Sequence, residues 1–167
     1  MIDIKVGDII IFKGEGFAFQ FLSRILKIFN PWWDRWGWHM AFVSKVNPTI
    51  ICESEIQGVH ENPMPQKEYR VYRWLEQPVD QAKVDQFVAE YLGKPYDVVI
   101  YFWTTAQYLF RHFWNRSIPR LLDDRYTCWE LIFTFADHLG RQISADYDCP
   151  MLTDFLKHSP KEIKPVD

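Results

Sequence analysis

The chain has 167 residues, 48% of them hydrophobic, which is enough apolar material for one folded domain with a sizeable core and excludes a disordered chain. Nineteen basic against 22 acidic side chains leave a formal net charge of −3, so the balance does not call for a nucleic acid partner. The three cysteines, Cys52, Cys128 and Cys149, are widely spaced and fit neither a disulfide framework nor a paired zinc motif, which points to a reducing compartment.

Taken in chain order, Val6 to Phe12 is an apolar run that reads as a buried strand with a Gly7-Asp8 turn at its start. The residues before it lack the basic region and small-residue cleavage site of a secretion signal, so a cytoplasmic location is expected. Delivery by a phage or a lysis system would be the route by which a leaderless chain reaches a cell wall. Phe17 to Phe29 repeats apolar residues at helical spacing, and Asn30-Pro31 stops it, because a residue before proline is pushed out of the α region. The aromatic loop PWWDRWGW follows. His39 to Val46 and Thr49 to Glu55 then read as two strands joined through the Asn47-Pro48 turn. Gly58-Val59 begins a looser segment, and Tyr69 to Trp74 alternates like a strand with one polar face.

From Asp80 the period changes, and Val84, Phe87, Val88, Tyr91 and Leu92 form a helical stripe ended by Gly93. Asp97 to Trp114 is apolar on nearly all sides, which permits either a buried helix or a surface that meets lipid or a partner. Its longest uncharged run, 98–110, is shorter than the roughly 17–25 residues a membrane-spanning helix needs. Cys128 to Leu139 resumes as a helix closed by Gly140, and a segment around Met151 to Lys157 completes the chain. No repeat or linker divides it, so a single domain over 1–167 is expected.

Thr127-Cys128-Trp129-Glu130 fits the capping box, in which the Thr127 hydroxyl and the Glu130 carboxylate satisfy each other's backbone N–H groups. Cys128 is then the first helical residue, where the helix dipole and unpaired N–H groups favour a thiolate. The same position also suits a cysteine that merely packs. A nucleophile needs a base. His138 lies about 15 Å along the same helix at 1.5 Å rise per residue and cannot serve. His60 and His112 have polar or arginine neighbours and read as surface residues, and His158 sits near the C-terminus. His39 opens a strand directly after the aromatic loop and is suited to face an active-site helix. Antiparallel pairing through the Asn47-Pro48 turn sets Glu53 opposite residues 39–42, where its carboxylate can hold the imidazole.

The order HMAFV, ICESEIQGV, LGKPYD and YTCWEL, with GDIIIF and FLSRILKIF ahead of it, resembles the circularly permuted branch of the NlpC-type papain-like cysteine hydrolases, the YiiX and YaeF group, whose relatives include lecithin:retinol acyltransferase-like enzymes. The likeness covers most of the chain, and the histidine precedes the cysteine as in the permuted group. It implies an α+β fold of the permuted papain type, a small antiparallel sheet or barrel packed against helices with the nucleophile at a helix N-terminus. It further implies Cys128 as nucleophile, His39 as general base, Glu53 as the residue orienting it, and Tyr126 as an aromatic near the oxyanion site. Two places depart from the pattern: Trp129 follows the cysteine where the family often has a small residue, and four tryptophans precede His39 in place of a short polar turn.

The activity so implied is hydrolysis or transfer at an amide or acyl bond through an acyl-enzyme, on a peptide or an acyl lipid, with no cofactor and no metal. Trp32, Trp33, Trp36 and Trp38 are compatible with an acyl pocket, contact at a membrane surface, or core packing. The rival readings are a catalytically inactive binding module on the same fold, and a metal site of His39, Glu53 and Cys128, which lacks a closely spaced ligand pair. Substrate identity and oligomeric state stay open.

Overall fold

A computed structural model describes residues 2–14, 36–75, 78–97, 126–141 and 163–166. Over these the chain is α+β, with a six-stranded antiparallel sheet and two helices. The elements are β1 (Ile9–Lys13), β2 (Trp36–Val46), β3 (Thr49–Glu55), β4 (Gly58–Pro63), β5 (Tyr69–Trp74), α1 (Gln81–Tyr91), α2 (Cys128–His138) and β6 (Ile163–Val166). The sheet order is β4-β3-β2-β1-β5-β6. The expected helix over 17–29, the aromatic loop, the apolar stretch 98–114 and the segment around 151–157 lie outside the described residues.

β1 sits between β2 and β5, and its Ile9, Ile10 and Ile11 are all buried. That is why its sequence is an unbroken apolar run and not an alternation. Strand alternation sorts the other core residues between two faces. Met40, Phe42 and Cys52 join Ile9 and Ile11 on one face, against Val84 and Phe87 of α1 and Leu131, Ile132 and Phe135 of α2. Ile10, Phe12, Ala41, Val43, Ile51 and Val71 form a second cluster on the opposite face. Phe42 stacks on Phe135 at 3.9 Å between ring centroids and meets Phe87 edge-on at 5.6 Å, so one sheet residue clamps both helices. Truncating a ring buried this way costs about 3–5 kcal/mol.

The turn before β1 is a second anchor. Gly7 has a φ of 79°, and a Cβ there would press on the Val79 side chain at 2.8 Å. Asp8 is fully buried, yet both of its oxygens are used, with Arg73 Nε and Nη2 donating at 2.8 and 2.7 Å and Lys5 N donating at 2.8 Å. This forked pairing holds the Arg73 guanidinium above its ordinary pKa, outweighing a smaller opposing effect of burial.

Two sequence expectations are corrected at the sheet edges. Gly58–Pro63 is not a loose segment but a strand, paired with β3 from Glu55↔Gly58 to Ile50↔Pro63. Ile163–Val166 adds a strand that the sequence reading did not assign, with Tyr72↔Pro165 in its register. Both are edge strands, which tolerate proline and polar residues because one side makes no ladder. β2 also begins earlier than expected, at Trp36. Among the described residues no helix is long and apolar enough to cross a membrane.

Candidate active site

Three elements converge. α2 starts at Cys128 because the capping box forms as expected: Glu130 N donates to Thr127 Oγ1 at 3.3 Å, and Thr127 N donates to Glu130 Oε2 at 2.9 Å. The preceding residue is fixed from both sides, since Tyr126 N donates to the Pro95 carbonyl at 3.0 Å and the Tyr126 carbonyl accepts from Ser54 Oγ. The LGKPYD segment that supplies Pro95 is itself docked on β4, with Val59 N donating to Lys94 O and Gly93 N donating to Val59 O, each at 2.8 Å.

β2 and β3 place the other two groups. Their register runs Ala41↔Glu53, Phe42↔Cys52 and Val43↔Ile51, within the range the turn predicts. Alternation therefore puts His39 and Glu53 on one face, and His39 Nε2 lies 2.6 Å from Glu53 Oε2. The β1–β2 register shifts between Phe12 and Lys13, beside His39, the kind of break that re-aims a strand side chain. Phe12 stacks on the imidazole with ring centroids 5.7 Å apart. Asn62, from β4, donates to the other Glu53 oxygen at 2.9 Å, so the carboxylate is held at both ends.

The Cys128 side chain lies near enough to the imidazole to act on its charge. Burial works against a charged His39, but the interactions with Cys128 and Glu53 outweigh it and push its pKa up to about 10. Burial would likewise raise the Glu53 pKa, and the hydrogen bonds from His39 and Asn62, with the charge of His39 and His60, bring it below the usual carboxylate value. Cys52 contrasts with this: burial, then the charges of Glu61 and Glu53, push its thiol up to about 12.

A cavity of about 710 Å³ opens on this face, lined by His39, Glu53, Glu55 and Asn62 and by Lys13 and Lys67 on β1 and the β4–β5 connection. Cys128 is 1% exposed and does not line it. Tyr126 is not among the lining residues either; its ring meets Tyr91 edge-on at 5.2 Å, and its main chain is the part tied to the site. Trp129 packs in the helix-side core at 7% exposure, so the bulky residue after the cysteine has its own place. Of the other histidines, His138 contacts the Lys83 carbonyl at 3.1 Å, on the far end of α2. His60 is not a plain surface residue, because it is half-buried and faces Glu53 across the β3–β4 ladder. Sequence reasoning also missed Asn62 and Ser54. The signal for both is the strand pairing, which requires β4 to be recognised first.

Comparison with protein-family models gives no match, and comparison with curated proteins finds no significant relative.

Proposed function

We propose that the protein is a cysteine-dependent hydrolase or acyltransferase acting on an amide or acyl bond, built on a permuted papain-like fold. The observation that carries this reading is the imidazole of His39, held by a buried carboxylate and placed near the thiol that starts a helix. Nε2 is committed to Glu53, so Nδ1 is the nitrogen available to the thiol. His39 takes the Cys128 proton, and the ion pair that results is stabilised by Glu53. The thiolate attacks the acyl carbon, and the oxyanion accepts a hydrogen bond from the Cys128 backbone N–H at the start of α2. His39 returns the proton to the leaving amine or alcohol, and water or another acceptor then cleaves the thioester with His39 as base.

The cavity beside His39 carries both signs of charge, with Glu55 against Lys13 and Lys67, and this favours a polar acyl substrate such as a small peptide over a bare acyl chain. Contact with a membrane surface through the aromatic loop is a further part of the proposal, and the compartment that fits a reduced cysteine is the cytoplasm.

One observation favours a different reading, a non-catalytic binding module: the 1% exposure of Cys128. Iodoacetamide labelling from about pH 5 to 9, mapped by mass spectrometry, separates the two. The catalytic reading requires Cys128 to react faster than Cys52 and Cys149 near pH 6, and His39→Ala to slow it. Equal rates for the three thiols would overturn it.

A further inference from the structure

The face of the sheet that bears His39 and Glu53 holds two more ionisable groups that the proposed reaction does not use. Glu55 lies two residues along β3 from Glu53 and so shares its face, and His60 is the direct cross-strand partner of Glu53 on β4. One ligand atom each from His39, Glu53 and Glu55 fall within 4.8 Å of one another. His60 lies outside that set, on the other side of the two carboxylates, with Nε2 at 3.8 Å from Glu53 Oε1 and 3.8 Å from Glu55 Oε2, the oxygens that do not face His39.

The hydrogen bonding of His60 gives a second reason to see a cation site here. Its Nδ1 lies 2.8 Å from the Gly58 carbonyl, which can only accept, so Nδ1 carries a proton and donates it. Nε2 is then the nitrogen turned toward two carboxylates, both beyond hydrogen-bonding distance. A ring N–H held by a backbone carbonyl, with the other nitrogen turned to anionic oxygens, is the arrangement of a metal-binding histidine. Bonds of about 2.1 Å to zinc place two tetrahedral ligand atoms roughly 3.4 Å apart; the separations of 3.8 and 3.9 Å come near this, and the 2.6 Å His39–Glu53 contact has to open to reach it.

We infer that His60, Glu55, Glu53 and His39 form a binding site for a divalent transition-metal ion of the zinc class, reached through the cavity that His39, Glu53 and Glu55 line. The ion takes the Nε2 lone pair of a neutral imidazole whose proton is on Nδ1; a second proton, where the ring carries one, leaves to solvent, and the His39–Glu53 hydrogen bond is replaced by two metal–ligand bonds. With Nε2 on the ion and Nδ1 protonated, the ring has no lone pair left for the Cys128 proton, so binding stops His39 from acting as the base. The site itself does not depend on the thiol chemistry; its inhibitory effect does.

The test is titration of the full chain with Zn²⁺ against a chromophoric chelator, and with Co²⁺ followed by visible absorption. One ion per chain is expected, with ligand-field bands and no sulfur-to-cobalt charge transfer. Glu55→Gln and His60→Gln should each weaken binding by at least about tenfold, and Cys128→Ser should leave the stoichiometry unchanged. Thermal unfolding of both variants checks that the fold is kept. Absence of binding, unchanged affinity in the two variants, or loss of binding in Cys128→Ser would overturn the site. Zn²⁺ should also slow Cys128 alkylation in the parent chain more than in Glu55→Gln. Zinc bound at these residues without any slowing would uphold the site and overturn the link to the thiol.

Discussion

The Ser54 hydroxyl donates to the Tyr126 main-chain carbonyl, so the strand that carries Glu53 is tied directly to the turn that starts the Cys128 helix. Glu53 and Ser54 are neighbours on β3 and point to opposite faces, one toward the imidazole and the other toward the helix start. A single strand thus sets the carboxylate and the thiol in one frame.

Ser54→Ala should remove that tie. A loss of about 1 kcal/mol in stability is expected for one hydrogen bond. If Ser54 positions Cys128, alkylation of Cys128 should slow roughly tenfold, because a small misplacement of reacting groups is costly. A purely structural serine would lower the melting temperature and leave the labelling rate where it was.

The His39–Glu53 pair should mark stability with a pH window. His39 is raised from 6.5 to about 10, so its contribution is fully present below pH 6.5 and is lost as pH rises through 10. Glu53 is lowered from 4.5, so its contribution is present above pH 4.5 and is lost as pH falls through its folded value. The gap in melting temperature between the parent chain and Glu53→Gln should therefore be widest between those limits. About 1–3 kcal/mol is expected there, as for a hydrogen bond to a charged group. A gap of equal size near pH 6 and above pH 10 would contradict the assignment.

Residues whose neighbours are local in sequence were legible, and those fixed by edge pairing were not. The capping box at Thr127 and Glu130, the stripe of Val84, Phe87 and Val88, and the β2–β3 register each follow from short-range chemistry, and each is found. β4 was missed because His60, Glu61 and Asn62 break the apolar alternation, and Pro63 reads as a breaker. Missing β4 in turn hid Asn62 and His60, whose roles exist only once Glu53↔His60 and Ile51↔Asn62 pair. β6 escaped for the same reason, since Pro165 sits on an edge where no donor is needed. The approach of His39 to Cys128 brings together residues far apart in the chain, and only their types, not their distance, could be read beforehand.

Asp8→Asn should be among the most damaging changes outside the site. The side chain is fully buried and Arg73 is only 13% exposed, so removing the charge leaves a half-buried guanidinium without its carboxylate. A loss of about 3–5 kcal/mol is expected, measurable by urea denaturation. The double variant Asp8→Leu with Arg73→Met should recover a large part of it, because the stranded charge goes with its partner.

Gly58 connects the fold to the site through its backbone. It opens β4 with a φ of 99°, and a Cβ there would lie 2.5 Å from the Lys94 carbonyl oxygen. That oxygen accepts from Val59 N, and the next residue's carbonyl, on Pro95, accepts from Tyr126 N. Gly58→Ala must therefore push the Lys94-Pro95 segment outward or twist the start of β4, and the movement passes to the turn before Cys128. A stability loss of about 1–3 kcal/mol is expected from the left-handed backbone alone. Because the strain is transmitted to Tyr126, Cys128 alkylation should fall as well, whereas Gly93→Ala, with a φ of 81° but no atom within 4 Å of the added Cβ, should cost stability and spare the labelling rate. Amide exchange at Tyr126 gives the direct check: it should quicken in Gly58→Ala more than in Gly93→Ala, and equal protection in the two variants would break the proposed connection.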